Sequence, residues 1–116
     1  MSGDRVLVID DSPAIFRGLR LTLQSLGRIE RATVSEDAYA ACLDGILAVT
    51  DRPPDAVVLD GLDGYSREVL RVCADQGVPV VMFTGEPERY ARSGVPVVAK
   101  PDVGGLLRAL RSVLEA

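Results

Sequence analysis

The chain has 116 residues, with 13 Lys and Arg against 17 Asp and Glu, no His and two Cys. This length suits one domain with its own core, and an acidic balance without a basic stripe or an aromatic platform argues against direct nucleic-acid binding. Cys42 and Cys73 form no CxxC pair and have no His to complete a zinc set, so we expect two buried thiols. No apolar run reaches membrane-spanning length and the first residues lack a signal segment, so we expect a cytoplasmic protein.

The predicted strands are apolar runs separated by stretches with helical spacing. Four of the runs are rich in Val, Ile and Leu, which is typical of strands buried on both faces of a parallel sheet rather than of half-exposed hairpins. The remaining run, IERATV, alternates weakly and is predicted to lie beside the first strand. The predicted strands are residues 5–10, 29–34, 55–60, 79–84 and 95–99.

The predicted helices begin at capping residues. Ser12 and Pro13 open the first helix, which runs to about Leu26 and stops at Gly27. The segment GEPERYARSG between the last two strands has room for only a turn or two, so we expect a shortened fourth helix. The other helices are predicted at 35–49, at 65–76, and after the capping residue Asp102 with Leu106, Leu107, Leu110, Val113 and Leu114 on the inward face.

Five polar side chains stand at the ends of the apolar runs. Parallel strands of one sheet end at the same edge, which is where open α/β sheets bind their ligands, so these side chains are predicted to gather there. Carboxylates without His or Cys suit a hard cation, and Mg2+ is typically bound through one or two carboxylates with water and phosphate oxygens. The pattern therefore predicts a metal and phosphoryl site made of Asp10, Asp11, Asp60, Thr84 and Lys100.

The order of these motifs resembles the receiver domain of two-component response regulators, the CheY-like proteins of phosphorelay signal transduction. VLVIDDSPAIFRGLRLTLQSLG resembles the first strand, acidic pair and first helix of that family, and AVVLD, VVMFTG and VVAKP resemble its third, fourth and fifth strand ends. The resemblance covers essentially the whole chain. It implies a doubly wound α/β fold, flavodoxin-like (βα)5, with a five-stranded parallel sheet of order 2-1-3-4-5. Because 116 residues are too few for a receiver and a DNA-binding output module together, we expect one stand-alone receiver domain over residues 1–116.

The resemblance implies a phosphoryl acceptor and a metal set. Asp60 would attack the phosphorus of a phosphohistidine on a partner kinase and become an aspartyl phosphate. Asp11 would bind Mg2+ directly and Asp10 partly through metal-bound water. The main-chain carbonyl of Leu62 and an Asp60 oxygen would complete the set.

Two further residues would act on the phosphoryl group. Lys100 would balance its charge, as a point-charge ammonium can do without exacting geometry. Thr84 would hydrogen-bond one of its oxygens and act as a switch. Pro101 completes a lysine–proline pair whose peptide is commonly cis in this family.

Each of these residues also fits a plainer interpretation when it is taken alone. Asp60 fits the start of a turn, the DDSP stretch fits a solvated helix entry, and Lys100 fits an ordinary surface lysine. Thr84 fits the end of a strand, where β-branched residues are common. The presence of the complete set, in order and at strand ends, favours the functional interpretation.

Three features depart from the family pattern. The loop after Asp60, GLDG, is several residues shorter than usual, and its Asp63 adds a carboxylate. The segment between Thr84 and Lys100 is also short. Val97 stands where the family usually carries Tyr or Phe. Tyr90 is a candidate substitute, but we favour the interpretation of Tyr90 as an ordinary exposed or core residue.

These observations leave three functional hypotheses. The leading one is a single-domain response regulator that signals by protein contact or relays phosphate, with slow phosphorylation and autodephosphorylation at Asp60 as its only chemistry. A pseudo-receiver that works independently of phosphate is favoured by the short loop and Val97. A small metal-dependent phosphatase comes last. Its motif places a second Asp two residues after the first, whereas this chain has adjacent Asp10 and Asp11 followed by Ser12. The expected partners are a histidine kinase or His phosphotransfer protein and an unknown downstream protein, with no nucleic acid and no membrane.

Overall fold

The computed structural model describes residues 4–10, 12–32, 54–60 and 66–115. These residues form a five-stranded sheet in which every pairing is parallel and the strand order is β2-β1-β3-β4-β5. The predicted fold class and strand order are confirmed. The strands are β1 Asp4–Ile9, β2 Gly27–Ala32, β3 Ala56–Leu59, β4 Val80–Thr84 and β5 Val97–Ala99.

The described helices are α1 (Pro13–Leu23), α2 (Ser66–Gln76) and α3 (Val103–Glu115). Two short 3-10 turns, Gln24–Leu26 and Pro87–Tyr90, complete the regular structure of this part of the chain. The turn at Pro87–Tyr90 stands in the segment where we expected a shortened helix. The predicted helix at 35–49 and Cys42 lie outside the described residues.

Helix α1 begins as its sequence predicts. The hydroxyl of Ser12 accepts a 3.3 Å hydrogen bond from the Ile15 N–H, and Pro13 occupies the first helical position, where its missing N–H costs nothing. The helix buries Leu19 and Leu23 against the sheet. Helix α1 therefore begins close to Asp10, at the edge of the sheet where β1 ends.

The second strand begins two residues earlier than predicted. Gly27, which we expected only to stop the first helix, is also the first residue of β2 and pairs with Asp4. Its φ of 144° is readily adopted only by glycine, so the chain reverses there without a connecting loop. The predicted residues 33 and 34 lie outside the described range.

Apolar side chains cover both faces of the sheet because successive strand residues point to opposite sides. On one face Leu7, Val57 and Met82 pack with the α2 residues Val69 and Cys73. The buried Cys73 agrees with the prediction of a buried thiol. The opposite face packs against α1 and α3 and holds Val6, Val8, Val58, Val81, Phe83, Leu19, Leu23, Leu106 and Leu110.

The first turn of α3 carries two adjacent glycines that we predict to differ in their response to alanine. At Gly104 a new Cβ would meet Arg108 Nη1 at 3.6 Å, an ordinary contact, whereas at Gly105 it would collide with the Asp102 carboxylate. That carboxylate accepts a 2.9 Å bond from the Gly105 N–H and caps the helix, as predicted. Gly104→Ala should therefore raise the free energy of unfolding by about 0.5–1 kcal/mol.

Gly105→Ala should gain little or nothing in the same urea denaturation experiment, because the displaced cap offsets the gain in helix propensity. Equal stabilisation by the two substitutions would contradict the assigned cap.

In the described part of the chain, no helix combines the length and the apolar character needed to cross a bilayer.

Candidate functional site

The carboxyl edge of the sheet brings together four of the predicted polar residues. Asp10 follows β1, Asp60 follows β3, Thr84 ends β4 and Lys100 follows β5. The Asp60 N–H donates to the Ile9 carbonyl at 3.0 Å, which joins the ends of the two central strands. The predicted metal ligands Asp11 and Leu62, and the loop that contains Asp63, lie outside the described residues.

The ammonium of Lys100 bridges two of these carboxylates. Its Nζ donates to Asp60 Oδ1 at 2.9 Å and to Asp10 Oδ2 at 3.1 Å. Lys100 is the single lysine of the chain, whose other basic side chains are arginines. The side chains of Lys100 and Asp60 are each 20% exposed, so the cluster is shielded but a ligand can still reach Asp60.

Asp10 is the most buried charge of the cluster, at 3% exposure. Burial raises the pKa of the Asp10 carboxyl, and the negative charge of Asp60 raises it further. The Ser12 N–H, which donates to Asp10 Oδ1 at 2.9 Å, and the Lys100 ammonium act in the opposite direction. The two acids therefore repel each other, and the Lys100 ammonium offsets only part of the cost of charging Asp10.

The same environment favours the charged form of Lys100, whereas it disfavours the charged form of Asp10. Burial by itself lowers the pKa of the Lys100 amine, but the hydrogen bonds and charges of Asp60 and then Asp10 outweigh it. The net result is a raised pKa, so Lys100 remains an ammonium at neutral pH. The Lys100–Pro101 peptide is cis, as it commonly is in the family the sequence resembles.

Thr84 is linked to the cluster through its backbone. Its carbonyl accepts a 2.8 Å bond from the Lys100 N–H. Thr84 is 3% exposed, and its hydroxyl accepts a 3.1 Å bond from the Glu86 N–H, which ties it to the loop after β4. A change in the position of this hydroxyl would be felt directly by that loop.

Sequence reasoning missed Phe83 as a neighbour of the site. The Lys100 Nζ lies 5.9 Å from the centre of the Phe83 ring, a distance within the range of a cation–π contact. Strand alternation shows only that Phe83, which precedes Thr84, points to the opposite face of the sheet. The sequence could not show that Lys100 reaches back over that ring.

The aromatic residue considered as a substitute for Val97 is partly buried against the core. Tyr90 packs against the cluster that contains Leu59 and Met82, and Val97 packs against the same cluster. The hydroxyl of Tyr90 is buried without a hydrogen-bond partner among the described residues. Tyr90 thus fills space beside β5 that the short connecting segment would otherwise leave open.

The donor chemistry of the cluster fits a divalent cation. Asp10 and Asp60 present hard carboxylate oxygens, which are the ligands that Mg2+ prefers. Burial and, to a smaller extent, repulsion by Asp60 raise the pKa of Asp10, and a bound cation would remove that repulsion. Among the described residues, no three acidic, His or Cys side chains lie close enough together to hold a metal ion. A full ligand set would therefore need main-chain atoms, water or Asp11.

Comparisons with solved structures find similar chains along nearly the full length. A response regulator receiver protein from Burkholderia phymatum shares 30% identity and a TM-score of 0.71, covering 97% of this chain and 95% of that chain. A CheY-like receiver domain protein from Methanospirillum hungatei JF-1 shares 21% identity and a TM-score of 0.74, covering 98% and 95%. The BeF3-activated receiver domain of DrrB, a Thermotoga maritima protein, shares 23% identity and a TM-score of 0.73, covering 98% and 99%. No family model matches the sequence, and no curated protein matches it.

Proposed function

This chain belongs to the receiver domain family of response regulators, and from that premise we propose that it accepts a phosphoryl group on Asp60 and signals through the resulting change of conformation. The observation that carries the proposal is the pairing of Asp60, a reachable carboxylate, with the ammonium of Lys100 at 2.9 Å. A nucleophilic carboxylate needs a neighbouring positive charge to approach an anionic donor. Lys100 supplies it.

The donor class is a phosphohistidine on a histidine kinase or a phosphotransfer protein. An Asp60 oxygen forms a bond to phosphorus while the nitrogen–phosphorus bond breaks, and the imidazole keeps the electron pair and takes a proton from water. Lys100 then faces the new phosphoryl oxygens. The reverse fate, hydrolysis of this protein's own aspartyl phosphate, is the only turnover we assign to it.

Mg2+ suits the site as a cofactor, since Asp10 and Asp60 would hold it and Asp11 is the third expected carboxylate. When bound, it would neutralise charge on the transferring group. Burial of Asp10 and its bond from the Ser12 N–H fix one of these ligands before any cation arrives. The residues of this chain thus orient the acceptor and hold its neighbouring charges.

The signal passes from the site through Thr84. Its hydroxyl is bonded to the Glu86 N–H in the unmodified protein. A phosphoryl oxygen on Asp60 would compete for the hydroxyl and shift the equilibrium between two arrangements of the loop after β4. We expect this exchange to take place in the cytoplasm, and we expect another protein to bind the changed loop.

A pseudo-receiver, which binds partners independently of phosphate, is the second candidate. Val97 favours it, because a partly buried valine lacks the reach of the aromatic side chain that the family usually carries there. The two candidates differ in one measurable property, which is the response of the site to a phosphoryl group.

The test is an amide NMR titration with Mg2+ and then with beryllofluoride, a mimic of a phosphoryl group on aspartate. We expect Mg2+ to shift resonances near Asp10 and Asp60, and beryllofluoride to add shifts at Thr84, Glu86 and Lys100. Asp60→Ala should lose the beryllofluoride response, and Asp75→Ala, which removes an exposed carboxylate of α2, should keep it. A folded wild-type protein that ignores beryllofluoride would favour the pseudo-receiver.

A further inference from the structure

The surroundings of Lys100 are asymmetric. Two carboxylates accept hydrogen bonds from its ammonium, and the ring of Phe83 lies on another side, 5.9 Å from Nζ. An ammonium has three N–H donors, so these two bonds leave one donor without a carboxylate partner among the residues that the structure describes. An aromatic face is the apolar surface that attracts such a charge.

Phe83 is held more firmly than the lysine it faces. It is 3% exposed and packs in the same core cluster as Leu106 and Leu110 of α3. In the sheet it pairs with Val98 of β5, two residues before Lys100. The ring therefore has a fixed position relative to the backbone from which the lysine side chain starts.

The backbone brings the two residues together from a second direction. The Lys100 N–H donates to the carbonyl of Thr84, the residue next to Phe83, at 2.8 Å. The lysine chain thus starts from a residue bonded to the neighbour of Phe83 and ends at the two carboxylates, where its Nζ lies 5.9 Å from the centre of the ring. A lysine has several rotatable bonds, and the fixed ring of Phe83 beside it excludes many of the rotamers in which its amine would point into solvent.

We propose that Phe83 is a positioning residue for Lys100, and that its buried ring holds the ammonium at the place where phosphoryl oxygens on Asp60 would meet it. The proposal rests on the function proposed above. Once Asp60 is modified, one of the two carboxylate contacts changes, whereas the ring stays in place. The ring then keeps the amine in the site during the exchange of partners.

The single lysine makes the contact directly measurable. In protein labelled with 13C at lysine, the εCH2 group of Lys100 gives one side-chain signal, and an aromatic face beside it displaces its proton shifts. Phe83→Leu keeps an apolar core residue but removes the ring, so these shifts should move towards those of a solvated lysine. Phe83→Tyr keeps the ring and should restore them. This measurement needs no phosphoryl donor and no metal.

Phosphorylation by the small donor acetyl phosphate supplies the functional arm. We expect Phe83→Leu to slow it about three- to tenfold, the effect of losing one cation–π contact on a group that stabilises the transferring charge, and Phe83→Tyr to recover most of the rate. Leu110→Val is the matched control, since it removes buried volume from the same core cluster without touching a ring. It should leave both the lysine shifts and the rate unchanged.

The outcomes separate the two proposals. Unchanged lysine shifts in Phe83→Leu, or equal changes in Leu110→Val, overturn the role of the ring. A wild-type protein that acetyl phosphate does not modify, but whose lysine shifts respond to Phe83→Leu, overturns the proposed function and leaves the ring contact established.

Discussion

Asp60→Asn is expected to abolish the acceptance of a phosphoryl group by this chain. The asparagine keeps the size of the side chain and still offers Lys100 a carbonyl oxygen, but its amide has no carboxylate nucleophile. The fold should survive, because Asp60 lies outside the buried core and its removal also relieves the repulsion on Asp10. Intact mass spectrometry after incubation with acetyl phosphate measures the result as the presence or absence of one added phosphoryl group.

The matched control for this substitution is Asp75→Asn. Asp75 is an exposed carboxylate of α2, so its loss changes the net charge by the same amount and should leave phosphorylation intact. The added group on the wild-type protein should be labile to alkali, as an acyl phosphate is and a phosphate ester of serine or threonine is not. A modified Asp60→Asn protein would show that another side chain is the acceptor.

Lys100→Met is expected to lower the free energy of unfolding by about 2 kcal/mol at neutral pH. Breaking a fully buried ion pair by removing one partner costs about 3–5 kcal/mol, and the partial exposure of Lys100 and Asp60 reduces that figure. Methionine keeps most of the apolar stem, so the loss reports the charge rather than the packing. Urea denaturation at a series of pH values measures it.

The pH dependence of this deficit has a defined sign. Asp10 has a raised pKa in the folded protein, so its charged form already costs stability as the pH rises above 3.8, the ordinary pKa of an aspartate. Removing the ammonium takes away one of the interactions that lower this pKa, and the cost grows. At about pH 3, where Asp10 is largely protonated, wild type and variant should therefore differ much less than at about pH 7.

Two controls make the interpretation specific. Arg108→Met removes an exposed cation from α3 and should change the unfolding free energy by less than about 0.5 kcal/mol at either pH. Asp10→Asn combined with Lys100→Met removes the buried carboxylate together with its partner, and should recover part of the loss. A deficit that is independent of pH would assign the effect to packing instead.

The parallel sheet and the meeting of Asp10, Asp60 and Lys100 followed from simple features of the sequence, whereas the strand order followed from the resemblance to receiver domains. Continuous Val-rich runs are buried on both faces, and residues that follow parallel strands share one edge whatever the exact register. The cap at Ser12 and the cap at Asp102 were equally local, because each depends on neighbours within one helical turn.

What the sequence could not supply depends on contacts between distant residues. The early start of β2 depends on pairing between Gly27 and Asp4, which overrides the weak local pattern of IERATV. The bond between the Thr84 hydroxyl and the Glu86 N–H depends on one side-chain rotamer and one loop conformation. The contact between Phe83 and Lys100 joins two strands and has no signature in the spacing of either.

The two halves of the site are supported by parts of the sheet that differ in how readily they open. The acids follow β1 and β3, whose cores are buried and paired on both sides. Lys100 follows β5, a three-residue edge strand that is only partly buried and pairs on one side. Amide hydrogens of β5 should exchange with solvent before those of β1 and β3, since edge strands with few buried contacts open at lower free energy. Each such opening would withdraw the cation while the acids stay in place, so fluctuations at one margin of the sheet set how long the two carboxylates keep the ammonium that they share.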